Sequence, residues 1–155
     1  MSVWLVRAGR NGENEDFALE NHCVVWGGDE VGDLTHLQSP ADVESRYRTF
    51  YPNAKPKTIK TWAAQGWAFC SRIQEGDLAI LPLKTRSAIA VGKVTGSYQW
   101  KPANPDGAKH TRPVKWIRTD IPRSDFHQDV LYRLGRSWRC AASNATVPRN
   151  ASRPC

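Results

Sequence analysis

The longest regular pattern of apolar and polar positions lies between Thr58 and Gly96. It begins with apolar residues at helical spacing, which share one helix face: Ile59, Trp62, Ala63, Gly66, Trp67, Cys70 and Ile73. The turn Glu75-Gly76-Asp77 ends this helix, because glycine adopts positive φ without strain. Two apolar runs follow, LAILPL and SAIAVGKVTG, and both are typical of buried strands. The pattern therefore predicts a helix–turn–strand–strand unit around which the chain is organised.

Shorter patterns before this unit predict two strands and a second helix. Ser2–Val6 and Cys23–Trp26 are apolar runs of strand length, and Asp16–Glu20 between them is long enough for a helical turn. The sequence Ser-Pro-Ala-Asp from Ser39 onward is a helix start, with a capping serine, a proline in the first turn and an early acid. We expect this helix to cover residues 40 to about 50.

Further strands are predicted after the central unit. Tyr98 and Trp100 continue or open a strand, and Thr111–Arg118 alternates with Val114 and Trp116 on one side. A last helix starts at Ser124, with its inward face formed by Phe126, Val130, Leu131 and Leu134. These elements predict an α+β domain over residues 1–135, with a small curled β-sheet or barrel flanked by two or three helices.

The composition suits one globular domain. The 155 residues are 40% hydrophobic and 24% charged, and no run of 18 apolar residues suggests a membrane span. The N-terminus lacks the apolar core of a signal peptide, so we expect a cytoplasmic protein. Cys23 and Cys70 lie in apolar contexts, and no Cys or His spacing indicates a zinc site or a catalytic triad. We predict no cofactor, no metal and no catalytic residues.

Charge is unevenly distributed along the chain. Residues 1–54 carry a net charge of −5, residues 55–135 a net charge of +8, and residues 136–155 a further +4, which gives +7 in total. A basic half beside an acidic half favours a polyanionic partner, with nucleic acid as the first candidate. Ordinary solvated surface charge is the alternative.

The last twenty residues, 136–155, differ from the rest. They contain four arginines and no acid, and they show no periodicity. One interpretation is an irregular or disordered terminus. Another is a frameshift product, because restoring one nucleotide after Gly135 yields a readable strand followed by a charged helix.

Several segments together resemble a known family. They include WLVRAGRNGENEDFALEN, YPNAKPKTI, WAAQGWAF, RIQEGDLAILPLKTRSAIAVGKVTG and HTRPVKWIRTDIPRSDF. They are similar to the N-terminal domain of Mrr-like restriction-system proteins, which belongs to the EVE-like branch of the PUA-like superfamily. The resemblance covers about residues 2 to 135, and it implies a small β-barrel flanked by helices.

The resemblance also implies a function. In this family the domain is a DNA-binding specificity module fused to a nuclease, and related EVE and YTH domains bind a modified base in an aromatic pocket. We therefore expect a module of a modification-dependent, type IV restriction system that defends against foreign DNA. Its partner is expected to be duplex DNA carrying a modified base. No nuclease motif is present in these residues, so we do not expect an enzyme.

The candidate pocket combines flat rings with polar groups for the base edge. In relatives the second strand ends in a pattern like I-G-W, whereas this chain reads Trp26-Gly27-Gly28. Trp26 could supply the ring from two positions earlier, because residues two apart on a strand face the same way. The predicted pocket residues are Trp26, Trp62 and Trp100, with Asp29 and Asp33 as hydrogen-bond acceptors.

A basic rim around the pocket would contact flanking phosphates. The predicted phosphate-binding residues lie on the loops around the later strands: Lys84, Arg86, Lys109, Arg112, Lys115 and Arg123. Two other interpretations remain open at this point. One is an RNA-binding PUA-like domain, since the same fold serves both nucleic acids. The other is a truncated, non-functional remnant.

Overall fold

The sheet is the centre of the fold. The computed structural model describes residues 2–125 and 138–140. Its strands form one curled, open half-barrel in the order β2-β6-β4-β3-β1-β7, with β5 paired to β6. The strands are β1 (Val3–Leu5), β2 (Cys23–Trp26), β3 (Leu78–Pro82), β4 (Ala88–Val94), β5 (Gln99–Trp100), β6 (His110–Pro122) and β7 (Trp138–Cys140). The helices are α1 (Glu15–Glu20), α2 (Pro40–Phe50) and α3 (Pro56–Trp67).

The predicted α+β class, with a small curled sheet flanked by three helices, is confirmed. The largest buried cluster lies between α2, α3 and the sheet. Helix residues such as Val43, Ile59 and Ala63 pack there with Trp4 and Val24 of the sheet. None of the helices in the described residues is both long enough and apolar enough to cross a bilayer.

The predicted helix–turn–strand–strand unit is present, with one difference at the end of its helix. After α3 the chain continues as a wider π-helical turn, Ala68–Arg72, before it reaches Gly76. Gly76 adopts φ +93°, the positive value expected from its sequence position. β3 and β4 then pair antiparallel, from Leu78 opposite Lys93 to Pro82 opposite Ile89.

Asp77 joins this turn to the first strand. Its carboxylate accepts hydrogen bonds from Trp4 Nε1 at 2.8 Å, Ser2 N at 2.9 Å and Gln74 N at 3.0 Å. Burial raises the pKa of Asp77, but these donors outweigh burial and lower the pKa below its usual value. The charged carboxylate therefore fixes β1 against the start of β3, and the two strands pair in parallel.

The curl of the sheet arises along β4 and β6. Their register shifts twice, between Ile89 and Val91 and between Val91 and Gly92, and such bulges bend a strand. Trp116 of β6 lies opposite Gly92, where a Cβ would come within 2.9 Å of its ring. Trp116 also donates Nε1–H to the carbonyl of Ala18 at 3.1 Å. This ring therefore holds α1 against the sheet.

Helix α2 begins as predicted. The carboxylate of Asp42 accepts the backbone N–H groups of Gln38 at 3.0 Å and Ser39 at 3.2 Å, and Pro40 occupies the first turn. α2 packs on α3 through Tyr47 and Trp62. This contact brings the C-terminal end of α2 beside the N-terminal half of α3.

Two predictions fall partly outside the described residues. Of the predicted last helix, only Ser124 and Asp125 are described, within a 3-10 turn over Arg123–Asp125; its inward face, Phe126 to Leu134, lies outside. Of the tail 136–155, only β7 is described, and it pairs in parallel with β1. The hypotheses of an irregular tail and of a frameshift remain predictions.

Candidate functional site

Trp26 is the last residue of β2, and its indole is buried. Only 1% of the residue is exposed, and the ring packs near Phe69 and Tyr47, both at 6.5 Å between centroids. A Cβ on Gly28 would lie 2.3 Å from Cη2 of Trp26, and a Cβ on Gly66 would lie 2.7 Å from the same atom. The indole therefore fills the space that side chains at positions 28 and 66 would otherwise take.

Three ring residues form one row across the sheet. β6 pairs with β2 on one edge and with β5 on the other, so that Trp26 and Trp100 both lie opposite His110. The centroid of the His110 ring is 4.7 Å from that of Trp26 and 4.7 Å from that of Trp100. Two predicted pocket tryptophans are thus brought together, but His110 lies between them.

His110 is held in one tautomer by its partners. Nε2 lies 2.7 Å from the carbonyl oxygen of Gly28, which only accepts, so Nε2 carries the proton. Nδ1 then accepts from the Tyr98 hydroxyl at 2.6 Å, and that hydroxyl oxygen accepts the N–H of Leu34 at 3.2 Å. Burial lowers the pKa of His110 to about 4, against a smaller opposing effect of the Gly28 hydrogen bond. His110 is therefore neutral at physiological pH.

Two buried polar atoms near the end of β2 have no hydrogen-bond partner among the described residues. They are the donor Nε1 of Trp26 and the acceptor Oδ1 of Asp29. The other carboxylate oxygen of Asp29 accepts the N–H of Gly107 at 2.6 Å and lies 3.5 Å from Nζ of Lys109. An unpaired buried polar group costs roughly 1–3 kcal/mol. A ligand that reached these atoms would have to offer an acceptor to Trp26 Nε1 and a donor to Asp29 Oδ1.

The remaining predicted pocket residues lie apart from this row. Asp33 accepts the backbone N–H of Thr35 at 2.9 Å and also its hydroxyl. Burial raises the pKa of Asp33, but these bonds and nearby cations lower it overall. Trp62 lies on α3, 5.6 Å from Tyr47 and 5.4 Å from Tyr51 between ring centroids. Among the ring contacts of the described residues, Tyr47 links Trp62 to Trp26.

A comparison with models of known protein families identifies the family of this chain. A model described as a domain of unknown function (DUF8426) matches residues 4–133. The chain belongs to the DUF8426 family. No curated protein matches the chain. The matched span of this DUF8426 domain includes the whole ring row and strands β2 to β6.

Arg112 requires a correction. The sequence predicted this residue on an exposed phosphate-binding rim, but the DUF8426 domain buries it at 4% exposure. Its guanidinium donates to the carbonyls of Phe69 at 2.7 Å, Cys70 at 3.0 Å and Gly96 at 3.2 Å. Burial lowers the pKa of Arg112. The side chain is used to join β6 to the turn after α3, and it is not available to a phosphate.

Three other residues predicted to bind phosphate already contact groups of the protein. Lys109 contacts Asp106 at 2.8 Å and Asp29 at 3.5 Å, and Arg86 lies 3.6 Å from Asp16. Arg123 donates to the carbonyl of Leu83.

The turn that carries Lys84 packs against an acidic side chain. The carboxylate of Glu15 accepts the backbone N–H of Lys84, and it also bonds to Thr85. Lys84 and Lys115 are exposed, and Lys115 lies directly opposite Lys93 across β4 and β6. Of the predicted rim, these two lysines keep side chains that make no ion pair among the described residues.

A cavity lies on the other face of the sheet. It has a volume of about 120 Å³ and is lined by residues that include Phe17, Cys23, Lys101 and Thr111. Cys23 and Trp26 point to opposite faces of β2, and they belong to different buried clusters. No predicted pocket residue lines this cavity. Burial raises the pKa of the Cys23 thiol to about 11, so the thiol is not a nucleophile at neutral pH.

Sequence reasoning missed the central position of His110. Its local context indicates only a phosphate contact or a structural histidine, and its place in the row depends on strand pairing that is not local in sequence. The signal that could have been used is the two-residue spacing of His110 and Arg112 from Val114, which places all three on one face of a strand. In the described residues, no group of three or more His, Cys, Asp or Glu could hold a metal ion.

Replacing Gly66 tests the close packing of Trp26. Gly66→Ala should improve helix propensity by about 1 kcal/mol, yet the new methyl group would overlap the indole. We therefore expect a net loss of about 1–2 kcal/mol in the free energy of unfolding, measured by urea denaturation. Thr61→Ala, at an exposed position of α3, is the control and should change stability by less than half of that. Unchanged or increased stability of Gly66→Ala would contradict the packing.

Protonation of His110 should make stability depend on pH. Its pKa is about 4 in the fold and about 6.5 in the unfolded chain, so the unfolded state binds the proton first as the pH falls. The contribution of His110 to the free energy of unfolding is therefore complete above pH 6.5 and decreases as the pH falls toward 4. Between pH 7 and 5 the wild type should lose about 2 kcal/mol from this group. His110→Asn should be less stable at pH 7 and should lack this decrease. His36→Asn, at an exposed position, should retain it.

Proposed function

We propose that this chain is a DNA-binding specificity module of a modification-dependent, Mrr-like restriction system. It would bind duplex DNA and test one extruded, modified base at the end of β2. The activity proposed for it is recognition, with cleavage left to a nuclease domain. The cytoplasm is the compartment in which such a module would meet foreign DNA.

One observation carries the proposal: a buried donor and a buried acceptor without partners accompany a row of rings. Trp26 Nε1 can donate, and Asp29 Oδ1 can accept. A nucleobase has a flat face for stacking, and its edge carries both acceptors and donors. A carboxylate is a suitable acceptor for the exocyclic amino group of cytosine. A base therefore satisfies both kinds of atom with one ligand.

The rings have different roles in this proposal. Trp100 is half-buried, and it is the member of the row on which an incoming base can stack. Trp26 is fully buried and forms the inner wall. His110 stays neutral and keeps the two indoles apart. Because both unpaired atoms are buried, the base reaches them only if the segment Gly27–Gly32 moves aside on binding.

The charge of the chain is consistent with a polyanionic partner. The net charge is +7. Such a charge favours binding to any nucleic acid, and this contribution weakens as salt neutralises the phosphates. Specific reading of a base must therefore appear as a difference between duplexes at fixed salt.

The test is equilibrium binding by fluorescence anisotropy to duplexes that differ at one base. The panel has unmodified cytosine, methylcytosine, hydroxymethylcytosine and methyladenine, with an RNA hairpin beside it. We expect one modified duplex to bind at least about tenfold more tightly than its unmodified counterpart, a difference of about 1.4 kcal/mol. Equal affinities that vanish together as salt increases would contradict the proposal, and preference for the hairpin would favour RNA.

A variant at Trp100 tests whether the preference for a modified duplex depends on the row of rings. Trp100→Ala removes a stacking ring that is worth roughly 1–3 kcal/mol per base, so the preference should fall by tenfold or more. Ile117→Ala removes a more exposed apolar side chain, 59% exposed on β6 and outside the row, and should keep the preference. If Trp100→Ala retains full discrimination, the base is read elsewhere.

A further inference from the structure

The stretch from residue 45 to residue 74 combines cations with exposed rings. It contains six basic residues and no acid: Arg46, Arg48, Lys55, Lys57, Lys60 and Arg72. Two of its aromatic residues are exposed, Phe50 at 55% and Tyr51 at 40%. None of these six cations was among the predicted phosphate contacts, so the stretch forms a second candidate surface.

The fold collects part of this stretch at one place, where α2 ends and α3 begins. We call the set Phe50, Tyr51, Trp62, Lys55, Lys57 and Lys60 the α2–α3 corner. Tyr51 and Trp62 contact each other with ring centroids 5.4 Å apart and planes at 61°. The turn between the helices is closed by a hydrogen bond from Ala54 N to Tyr51 O at 3.1 Å.

The lysines of the corner have no acidic partner. Lys55, Lys57 and Lys60 are exposed and make no ion pair within the described part of the chain. By contrast, Arg48 of the same stretch pairs with Glu44 at 3.3 Å. The nearest acid to the rings is Glu30, which accepts the Tyr51 hydroxyl at 3.2 Å. The corner therefore carries positive charge that a bound polyanion could neutralise.

An unbroken series of rings connects the corner to the row at β2. From Tyr51 the centroid distances are 5.4 Å to Trp62, then 5.6 Å to Tyr47, and 6.5 Å from Tyr47 to Trp26. His110 and Trp100 follow at 4.7 Å each. The corner and the proposed base site are thus two ends of one packed aromatic array.

We propose that the α2–α3 corner binds unpaired nucleotides of the DNA. A base stacks on Tyr51 and Phe50, and the phosphates lie along Lys55, Lys57 and Lys60. This inference rests on the proposed function, because it assumes that the chain binds DNA. Exposed rings beside a groove of cations are the usual elements of single-strand binding. A protein partner is disfavoured, because interface cores are depleted in lysine and none of these three lysines forms an ion pair among the described residues.

The test compares two surfaces with equal changes in charge. One variant changes Lys55, Lys57 and Lys60 to Gln, and its matched control changes three exposed cations outside both the corner and the predicted rim, Arg10, Lys93 and Lys101, to Gln. Both reduce the net charge by three, but on different faces. The probes are a fully paired labelled duplex and the same duplex with three unpaired nucleotides, measured by anisotropy at several salt concentrations. We expect the corner variant to reduce the slope of log affinity against log salt by about 0.7–0.9 for each phosphate that the protein no longer neutralises.

The rings are tested separately. Phe50→Ala combined with Tyr51→Ala should weaken binding to the duplex with unpaired nucleotides by about tenfold, and binding to the paired duplex by less than twofold. Tyr51→Phe keeps the ring and removes only the hydrogen bond to Glu30, so it should bind like the wild type. Ile117→Ala is the control for removal of an exposed apolar side chain. Every variant is made in the full chain, and its folding is checked by circular dichroism.

Several outcomes would overturn the inference. One is an equal effect of the corner variant and its charge-matched control, which would mean that net charge alone acts. Another is unchanged binding by the ring variant, or dimerisation that depends on Phe50 and Tyr51. If the wild type prefers a modified duplex while the corner variants bind normally, this inference fails and the proposed function stands. If the wild type binds no nucleic acid at all, both fail.

Discussion

The arrangement of the site depends on one buried cation. Arg112 lies on β6 and donates to three backbone carbonyls, two of which belong to the π-helical turn after α3. A buried charge is stable only when its donors are satisfied, so this turn must stay beside β6. The constraint fixes α3 over the sheet. It also fixes the face of β6 on which His110, two residues earlier, meets the indoles of Trp26 and Trp100.

The second constraint is the volume of one indole. Trp26 can lie where it does because positions 28 and 66 have no side chain. That Trp26 takes the place of the aromatic residue expected two positions later remains a prediction, and its indole is buried in the core. The cost of this arrangement is an indole N–H without a partner among the described residues. Such a cost is most easily understood if a ligand supplies the missing acceptor.

Local elements were largely predictable from the sequence, because their signals are local. The capping sequence at Ser39, the glycine turn at Gly76 and the apolar run of β2 each specify their own element. Side-chain environments were less predictable, because they depend on pairing between distant strands. Arg112 looked like surface charge until β6 placed it against the turn after α3. The acids Glu15 and Asp16 precede the basic turn by about 70 residues, yet they lie against it and reduce its positive charge.

Fluorescence of a base analogue tests directly whether the protein extrudes a base from the duplex. A duplex carries 2-aminopurine beside or at the candidate position, and its emission reports whether that base leaves the stack when the protein binds. We expect a strong rise in emission when the base is extruded, followed by partial quenching that disappears in Trp100→Ala, because an indole then no longer stacks on the base. Saturated binding without any change in emission would contradict it, since the base would have remained in the helix.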